Sequence, residues 1–135
     1  EIMDILNKKS GFLGVSQLSS DSRDIEDAIK EGNEQAILAQ KMFVNSVVKY
    51  IANYYVEMGG CDVSAFTAGI GENSISTREE IVEQLACLGI KLDLEANNVR
   101  GELTRISSSD SNTLVYLVPT NEELMIAMDT LALIK

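Results

Sequence analysis

The chain has 135 residues, of which 45% are hydrophobic and 24% charged, so it is long enough for one compact domain with a buried core. Its net charge of −10, from 21 acidic and 11 basic residues, argues against binding to nucleic acid or to an anionic membrane, because both need clustered positive charge. The absence of histidine excludes Ser-His and Cys-His nucleophilic sites, and it favours hard cations such as Mg²⁺ over zinc.

The first residues read as the end of a helix, because Ile2, Ile5 and Leu6 fall at helical spacing. The chain begins without methionine inside this pattern, so we expect it to be the C-terminal part of a longer protein.

A polar cluster from Ser19 to Asp24 predicts the entry of a second helix, which Gly32 ends. Within it, Asp21, Ser22 and Arg23 are a candidate edge for a nucleotide base or ribose. A solvent-exposed helix cap explains the same residues, and the local sequence leaves both interpretations open.

The longest predicted helix spans residues 33–58 and ends at Gly59 and Gly60. Its apolar side chains recur at helical period, which predicts a core-facing stripe of Ile37, Phe43 or Val44, Val47, Ile51, Tyr54 or Tyr55, and Met58. Cys61 and Cys87 lie in unrelated contexts, and we expect packed thiols of a reducing compartment rather than a disulfide.

The segment from Val63 to Ser74 predicts a short buried strand, a Gly-x-Gly turn at Gly69 and Gly71, and then a helix opened by a Ser76–Glu79 capping box. Such a turn lets backbone N–H groups approach a phosphate, because glycine has no Cβ and tolerates positive φ. The same pattern is also compatible with a simple tight connection.

A dinucleotide-binding fold is a further alternative for this turn. It would need a third glycine where Ser74 stands, although Asp93 lies near the distance of the ribose-binding acid. Asp93 also reads as the cap of a following helical turn, which weakens that alternative. A Walker loop is excluded, because no Gly-Lys-Ser/Thr ending is present.

Residues 114–118 predict another buried strand, ended by Pro119, and a Thr120–Glu123 capping box then opens the last helix. Glu122 is not explained by the cap. It follows a strand's carboxyl end, where α/β sheets place their ligands, so it is a candidate for Mg²⁺. Stabilising the helix dipole is the alternative. The predicted core side of this helix is Leu124, Ile126, Ala127, Leu131 and Ile134.

Two segments resemble the C-terminal signatures of the acetate kinase family: residues 66–74, Phe-Thr-Ala-Gly-Ile-Gly-Glu-Asn-Ser, and residues 118–127, Val-Pro-Thr-Asn-Glu-Glu-Leu-Met-Ile-Ala. Residues 19–24, Ser-Ser-Asp-Ser-Arg-Asp, resemble the family's adenine-side segment. The resemblance implies an α/β, ribonuclease-H-like nucleotide-binding lobe of the actin and sugar-kinase superfamily. Residues 1–135 would then form a single C-terminal nucleotide-binding domain of a larger two-lobed kinase.

The resemblance also assigns roles to candidate residues. Asp21, Ser22 and Arg23 would line the adenosine of ATP or ADP, and Glu122 would help hold Mg²⁺. The adenine, ribose and phosphates would lie over Gly69, Ile70, Gly71 and Asn73. Two positions depart from the family pattern: Ser22 replaces a large apolar residue, and Met128 replaces a common arginine.

The implied reaction is reversible phosphoryl transfer between ATP and acetate, which gives acetyl phosphate and ADP. A propionate kinase and a non-catalytic nucleotide-binding module are the alternatives. The resemblance places no catalytic residue in these 135 positions, because acetate or acetyl phosphate would bind to the missing N-terminal lobe. We therefore expect the isolated chain to be inactive, and we expect the whole protein to be a cytoplasmic homodimer.

Overall fold

The computed structural model describes residues 2–134, which form seven α-helices and a three-stranded sheet. The chain divides into two compact units, one holding residues 2–61 with 83–85 and the other residues 62–82 with 86–134. None of the helices within residues 2–134 is long and apolar enough to cross a membrane.

The first unit contains four helices: α1 (Ile2–Lys8), α2 (Gly11–Ser16), α3 (Ser22–Lys30) and α4 (Glu34–Glu57). Asp21 caps α3 by accepting a hydrogen bond from the backbone N–H of Arg23 at 2.9 Å. Asn33 caps α4 in the same way, accepting from two backbone N–H groups at 3.0 Å each. Both helix starts agree with the predicted entries, because Asp and Asn side chains satisfy N–H groups that the first helical turn leaves unpaired.

The core of the first unit lies where α2 and α3 pack against α4. Ile25 and Ala28 of α3 and Ala36 of α4 are buried together. Phe12 of α2 lies next to Phe43 of α4, with the centroids of their rings 5.1 Å apart.

The predicted core stripe of α4 is therefore only partly correct. Its buried side chains all fall between Ala36 and Val44, whereas Tyr54 is 56% exposed and Met58 is 63% exposed. Helical period identifies an apolar face but does not show how far along the helix another element covers it.

The second unit contains the sheet and three further helices. Its elements in chain order are β1 (Val63–Phe66), α5 (Ala68–Asn73), α6 (Ile75–Gln84, whose last two residues belong to the first unit), a 3₁₀ turn (Ala86–Leu88), β2 (Thr104–Arg105), β3 (Leu114–Leu117) and α7 (Glu122–Leu133). The strand order is β1-β3-β2; β1 runs parallel to β3, with Val63 opposite Leu114, and β2 runs antiparallel to β3. The predicted strands at β1 and β3 are thus confirmed.

Two burial predictions in this unit are wrong. β1 is an edge strand that pairs only with β3, and its Val63 is 52% exposed rather than buried. The terminal helix α7 buries none of its described side chains, so its predicted core side is exposed, with Ile126 at 66% and Leu131 at 50%. Cys61 and Cys87 both carry reduced thiols, but Cys87 is exposed rather than packed.

Both predicted capping boxes are also replaced by other residues. Helix α6 begins one residue earlier, and Ser74 caps it by accepting from the Thr77 N–H at 3.2 Å. Helix α7 is capped by Asn121, whose side chain accepts from the Leu124 N–H at 3.1 Å. The hydroxyl of Thr120, the predicted cap, donates a hydrogen bond elsewhere in the unit, to the Glu72 carboxylate.

Candidate functional site

The parallel pairing of β1 with β3 decides where the candidate site lies. Because the two strands run in the same direction, their carboxyl ends meet at one edge of the sheet. A hydrogen bond of 2.8 Å from the Val118 N–H to the Phe66 carbonyl continues the pairing past β3. The segments that follow Phe66 and Val118 therefore lie side by side, although about fifty residues of sequence separate them.

A pocket of about 390 Å³ opens between these two segments. It is lined by Ala68 and Gly69 on one side and by Thr120, Asn121, Glu122 and Glu123 on the other. The structure thus brings the first glycine of the Gly-x-Gly segment and the candidate metal ligand into one pocket, at the strand ends where the sequence predicted a ligand.

The Gly-x-Gly segment is part of a short helix, α5, and not a turn. Its positive φ falls on Ala68, at 59°, whereas neither Gly69 nor Gly71 adopts positive φ. The prediction that these glycines supply positive φ is therefore wrong. Left-handed geometry costs an alanine about 1–2 kcal/mol, so the first residue of the pocket is strained.

The two glycines have different structural reasons. A Cβ added to Gly71 would lie 3.3 Å from the backbone carbon of Phe66, so Gly71 allows α5 to pack closely on the end of β1. A Cβ added to Gly69 would meet no atom within 4 Å. Packing therefore does not require glycine at position 69, and its bare backbone faces open space beside the pocket.

The other candidate residues of α5 act within the helix. Asn73 donates a side-chain hydrogen bond of 2.9 Å to the Gly69 carbonyl, and the Ile70 carbonyl accepts from the Ser74 N–H at 2.9 Å. Ile70, Gly71 and Asn73 are not among the residues that line the pocket. These contacts shape the helix that presents Gly69.

Arg78 holds the end of α5 by hydrogen bonds to its backbone carbonyls, a role that the sequence did not predict. It is completely buried in α6, where Nη1 donates to the carbonyls of Gly71 at 2.9 Å and Glu72 at 3.1 Å. Its Nε donates to Asn97 Oδ1 at 2.8 Å, and Nη2 donates to the carbonyls of Asn97 at 2.8 Å and Val99 at 2.7 Å. Burial, with a smaller contribution from Arg100, lowers the pKa of Arg78 from its ordinary value. The helical position of Arg78 carries no signal for these contacts.

Glu72 is the second residue that the sequence did not identify. One carboxylate oxygen accepts hydrogen bonds from the Thr120 N–H at 2.8 Å and the Thr120 hydroxyl at 2.7 Å. These two bonds, and a smaller contribution from the Ala68 N–H, lower the pKa of Glu72 below its ordinary value. No local pattern could have paired two residues 48 positions apart.

The three candidate residues for adenosine belong to the first unit, whereas the pocket belongs to the second. Arg23 holds Asp21 through both Nε, at 3.0 Å, and Nη2, at 2.5 Å. This side-chain hydrogen bonding, together with the Arg23 backbone N–H, lowers the pKa of Asp21 from 3.8 to about 2. Ser22 is the first residue of α3. The helix-cap interpretation of Asp21 is thereby shown, and the side chain of its ion-pair partner Arg23 is exposed.

A metal ion at the pocket would have Glu122 as its protein ligand, with Glu123 next to it. Within residues 2–134 no group of three or more Cys, Asp or Glu side chains is arranged to hold a metal by itself. This arrangement fits Mg²⁺, which proteins usually bind through one or two carboxylates while phosphate oxygens and water complete the coordination.

Asp93, the alternative ribose acid, caps a turn by accepting from the N–H groups of Glu95 and Ala96 at 3.0 Å each.

The chain is similar to known proteins along nearly its whole length. The model of the acetokinase family matches residues 1–128. The acetate kinase of Treponema denticola is 57% identical over 135 residues, which are 100% of this chain and 34% of that protein. The chain therefore spans about a third of the length of the curated relatives it matches.

Solved structures show the same similarity. The crystal structure of Porphyromonas gingivalis acetate kinase matches 99% of this chain and 34% of its own, with a TM-score of 0.89 and 48% identity. A propionate kinase from Francisella tularensis matches 93% of this chain and 32% of its own, with a TM-score of 0.84 and 37% identity. These matches confirm the predicted fold class, α/β with the ribonuclease-H-like fold of the actin and sugar-kinase superfamily. The chain belongs to the acetokinase family.

Proposed function

We propose that the pocket at the ends of β1 and β3 binds the phosphates of ATP or ADP together with Mg²⁺, as part of an acetate kinase. The reaction would be reversible phosphoryl transfer from ATP to acetate, which gives acetyl phosphate and ADP. The observation that carries the proposal is the placement of the bare backbone of Gly69 beside Glu122 in one pocket. Membership of the acetokinase family supports the reaction class.

The charge of the pocket supports a role for the metal. Its lining includes the carboxylates of Glu122 and Glu123 and no lysine or arginine. A bare diphosphate would be repelled by two carboxylates, whereas Mg²⁺ would bridge a carboxylate and the phosphate oxygens. Binding of ADP should therefore depend on Mg²⁺. In phosphoryl transfer the bound ion neutralises charge on the transferring phosphate, and the protein mainly positions groups.

The remaining candidate residues have supporting roles in this proposal. Asp21, Ser22 and Arg23 would contact adenosine, and Ile70, Gly71 and Asn73 would hold α5 so that Gly69 meets the phosphates. The groups that bind acetate and the groups that stabilise the transferring phosphoryl would lie in the two-thirds of the relatives' length that this chain does not span. The chain by itself should then form no acetyl phosphate, and turnover near that of an intact acetate kinase would contradict this division of roles.

The binding proposal is tested by titrating the chain with ADP, with and without Mg²⁺, and with NADH. We expect binding of ADP only with Mg²⁺ and weaker binding of NADH. Glu122→Gln should raise the Mg²⁺ concentration needed for half-maximal ADP binding by about tenfold. The matched control is Glu102→Gln, which removes the same charge from an exposed position outside the pocket. Equal Mg²⁺ dependence in the two variants would return Glu122 to a helix-end role.

Propionate is the second candidate acceptor, because the Francisella tularensis propionate kinase matches 93% of this chain. A chimera in which this chain replaces the matched segment of the Treponema denticola acetate kinase tests whether the chain takes part in catalysis, whereas the acceptor is tested by assaying the full-length protein with acetate and with propionate. Acetyl phosphate formation by the chimera supports a catalytic role for the chain. A folded chimera that binds ADP but forms neither acyl phosphate would instead indicate a non-catalytic nucleotide-binding module.

We also propose that the whole protein is a cytoplasmic homodimer. The exposed face of α4 supports the dimer, because Leu38, Met42, Tyr50 and Tyr54 recur there at multiples of four residues and are 46–63% exposed. Sedimentation of the chain and of its Tyr50→Glu variant tests the contact, and a concentration-independent monomer in both would exclude this face.

A further inference from the structure

Two hydrogen bonds from Thr120 to the Glu72 carboxylate link two segments of the second unit. Thr120 follows β3 and lines the pocket, and Glu72 lies in α5, the helix that begins with the pocket residues Ala68 and Gly69. The carboxylate therefore joins the two walls of the pocket to each other. Both donors of Thr120, its N–H and its hydroxyl, point at the same oxygen of Glu72, at 2.8 and 2.7 Å.

Glu72 is itself held firmly at its backbone. The buried guanidinium of Arg78 binds the carbonyls of Gly71 and Glu72, at 2.9 and 3.1 Å. A six-residue helix that contains two glycines has little stability of its own, so these long-range bonds set its position. The Glu72 side chain then transmits that position to Thr120, which lies two residues before Glu122.

We propose that Glu72 is a positioning residue that sets the separation between the Gly69 backbone and Glu122, and thereby the fit of the Mg²⁺–diphosphate group. This inference rests on the proposed function of the pocket. We do not assign Glu72 as a ligand of Mg²⁺, because its Oε1 already accepts two hydrogen bonds from Thr120. A carboxylate suits this role better than an amide, because hydrogen bonds to an ionised acceptor are roughly twice as strong as neutral ones.

The chemistry of the link predicts a graded series of variants. Thr120→Ser keeps both donors, so it should weaken ADP–Mg²⁺ binding less than Thr120→Val does. Thr120→Val keeps only the N–H, and Glu72→Gln keeps only a neutral acceptor, so each should weaken ADP–Mg²⁺ by about threefold. Glu72→Ala removes the link and should weaken binding by about tenfold, the usual effect of losing a residue that orients a metal ligand.

The experiment is calorimetric titration of the 135-residue chain and these four variants with ADP at fixed Mg²⁺, well below the unfolding midpoint of each variant. A double variant, Glu72→Ala with Thr120→Val, should bind no more weakly than Glu72→Ala alone, because both changes break the same link. A residue that only stabilises the fold would lower the unfolding midpoint, but it would leave the affinity measured on the folded chain unchanged.

The outcomes separate the two proposals. If the unmodified chain binds ADP–Mg²⁺ and Glu72→Ala binds equally well, the positioning role is overturned and the pocket assignment stands. If the unmodified chain does not bind ADP–Mg²⁺, the pocket assignment fails, and the positioning role fails with it. If Glu72→Ala does not fold, the Thr120→Val and Thr120→Ser pair decides, because equal affinity in that pair contradicts a link through the hydroxyl.

Discussion

Replacing Arg78 by methionine should destabilise the second unit strongly. The side chain is completely buried and donates to five acceptors, two of them on the buried Asn97. A buried acceptor left without its donor costs about 1–3 kcal/mol. The carbonyls of Gly71, Glu72 and Val99 are only partly buried and add less. Methionine also removes the cost of burying a charge, which offsets part of the loss.

The balance of these terms is a loss of about 3–5 kcal/mol, a large fraction of the 5–15 kcal/mol that stabilises a typical domain. At about 4 °C per kcal/mol, the unfolding midpoint should fall by about 12–20 °C. Arg78→Lys should lose an intermediate amount, because one ammonium group cannot reach acceptors on both sides of a planar guanidinium.

Thermal unfolding followed by circular dichroism measures this effect, and Arg100→Met is the matched control. Arg100 is exposed, so its loss should change the stability by no more than about 0.5 kcal/mol. Midpoints of Arg78→Met and Arg100→Met within about 2 °C of each other would refute the reasoning, because such a gap corresponds to a difference in stability of only about 0.5 kcal/mol.

Three further predictions concern the backbone of the pocket and the cap of α3. Gly69→Ala should leave the unfolding midpoint unchanged or slightly higher, because the added Cβ meets no atom within 4 Å, yet it should weaken ADP–Mg²⁺ binding. Gly71→Ala should reduce the stability by about 1–3 kcal/mol and so lower the midpoint, because its Cβ would lie 3.3 Å from the Phe66 backbone. Ala68→Gly should change the stability by less than about 1 kcal/mol, because relief of the strain at φ 59° offsets the lost backbone entropy, and a denaturant midpoint lowered like that of an ordinary helical Ala→Gly change would contradict the strain. Asp21→Asn should lower the thermal midpoint at pH 7 but not at pH 2. The pKa of Asp21 in the folded chain is about 2, below the ordinary 3.8, so the carboxylate stabilises the fold above pH 3.8. This contribution to stability is lost as the pH falls through about 2. An equal effect of Asp21→Asn at both pH values would show that charge does not matter there.

Local signals in the sequence determined the order of the main helices and strands, although not the short helix α5. The polar cluster around Asp21 and the apolar runs at β1 and β3 predicted their elements correctly, because each depends on side chains within a few residues. The position of Glu122 at a helix start past a strand end was likewise readable from the chain. The resemblance of three short segments identified the family.

Tertiary structure decided burial, the reasons for individual residues and the contacts across the pocket. An apolar period cannot show whether another element covers a face, so the exposure of α7 and of the end of α4 was not predictable from spacing. The positive φ falls on Ala68 and the cap of α7 falls on Asn121, whereas the Thr120 hydroxyl donates to Glu72. Arg78 and Glu72 act on segments as far as 48 residues away in sequence, and only parallel pairing of β1 with β3 brings the Glu72 and Thr120 segments together.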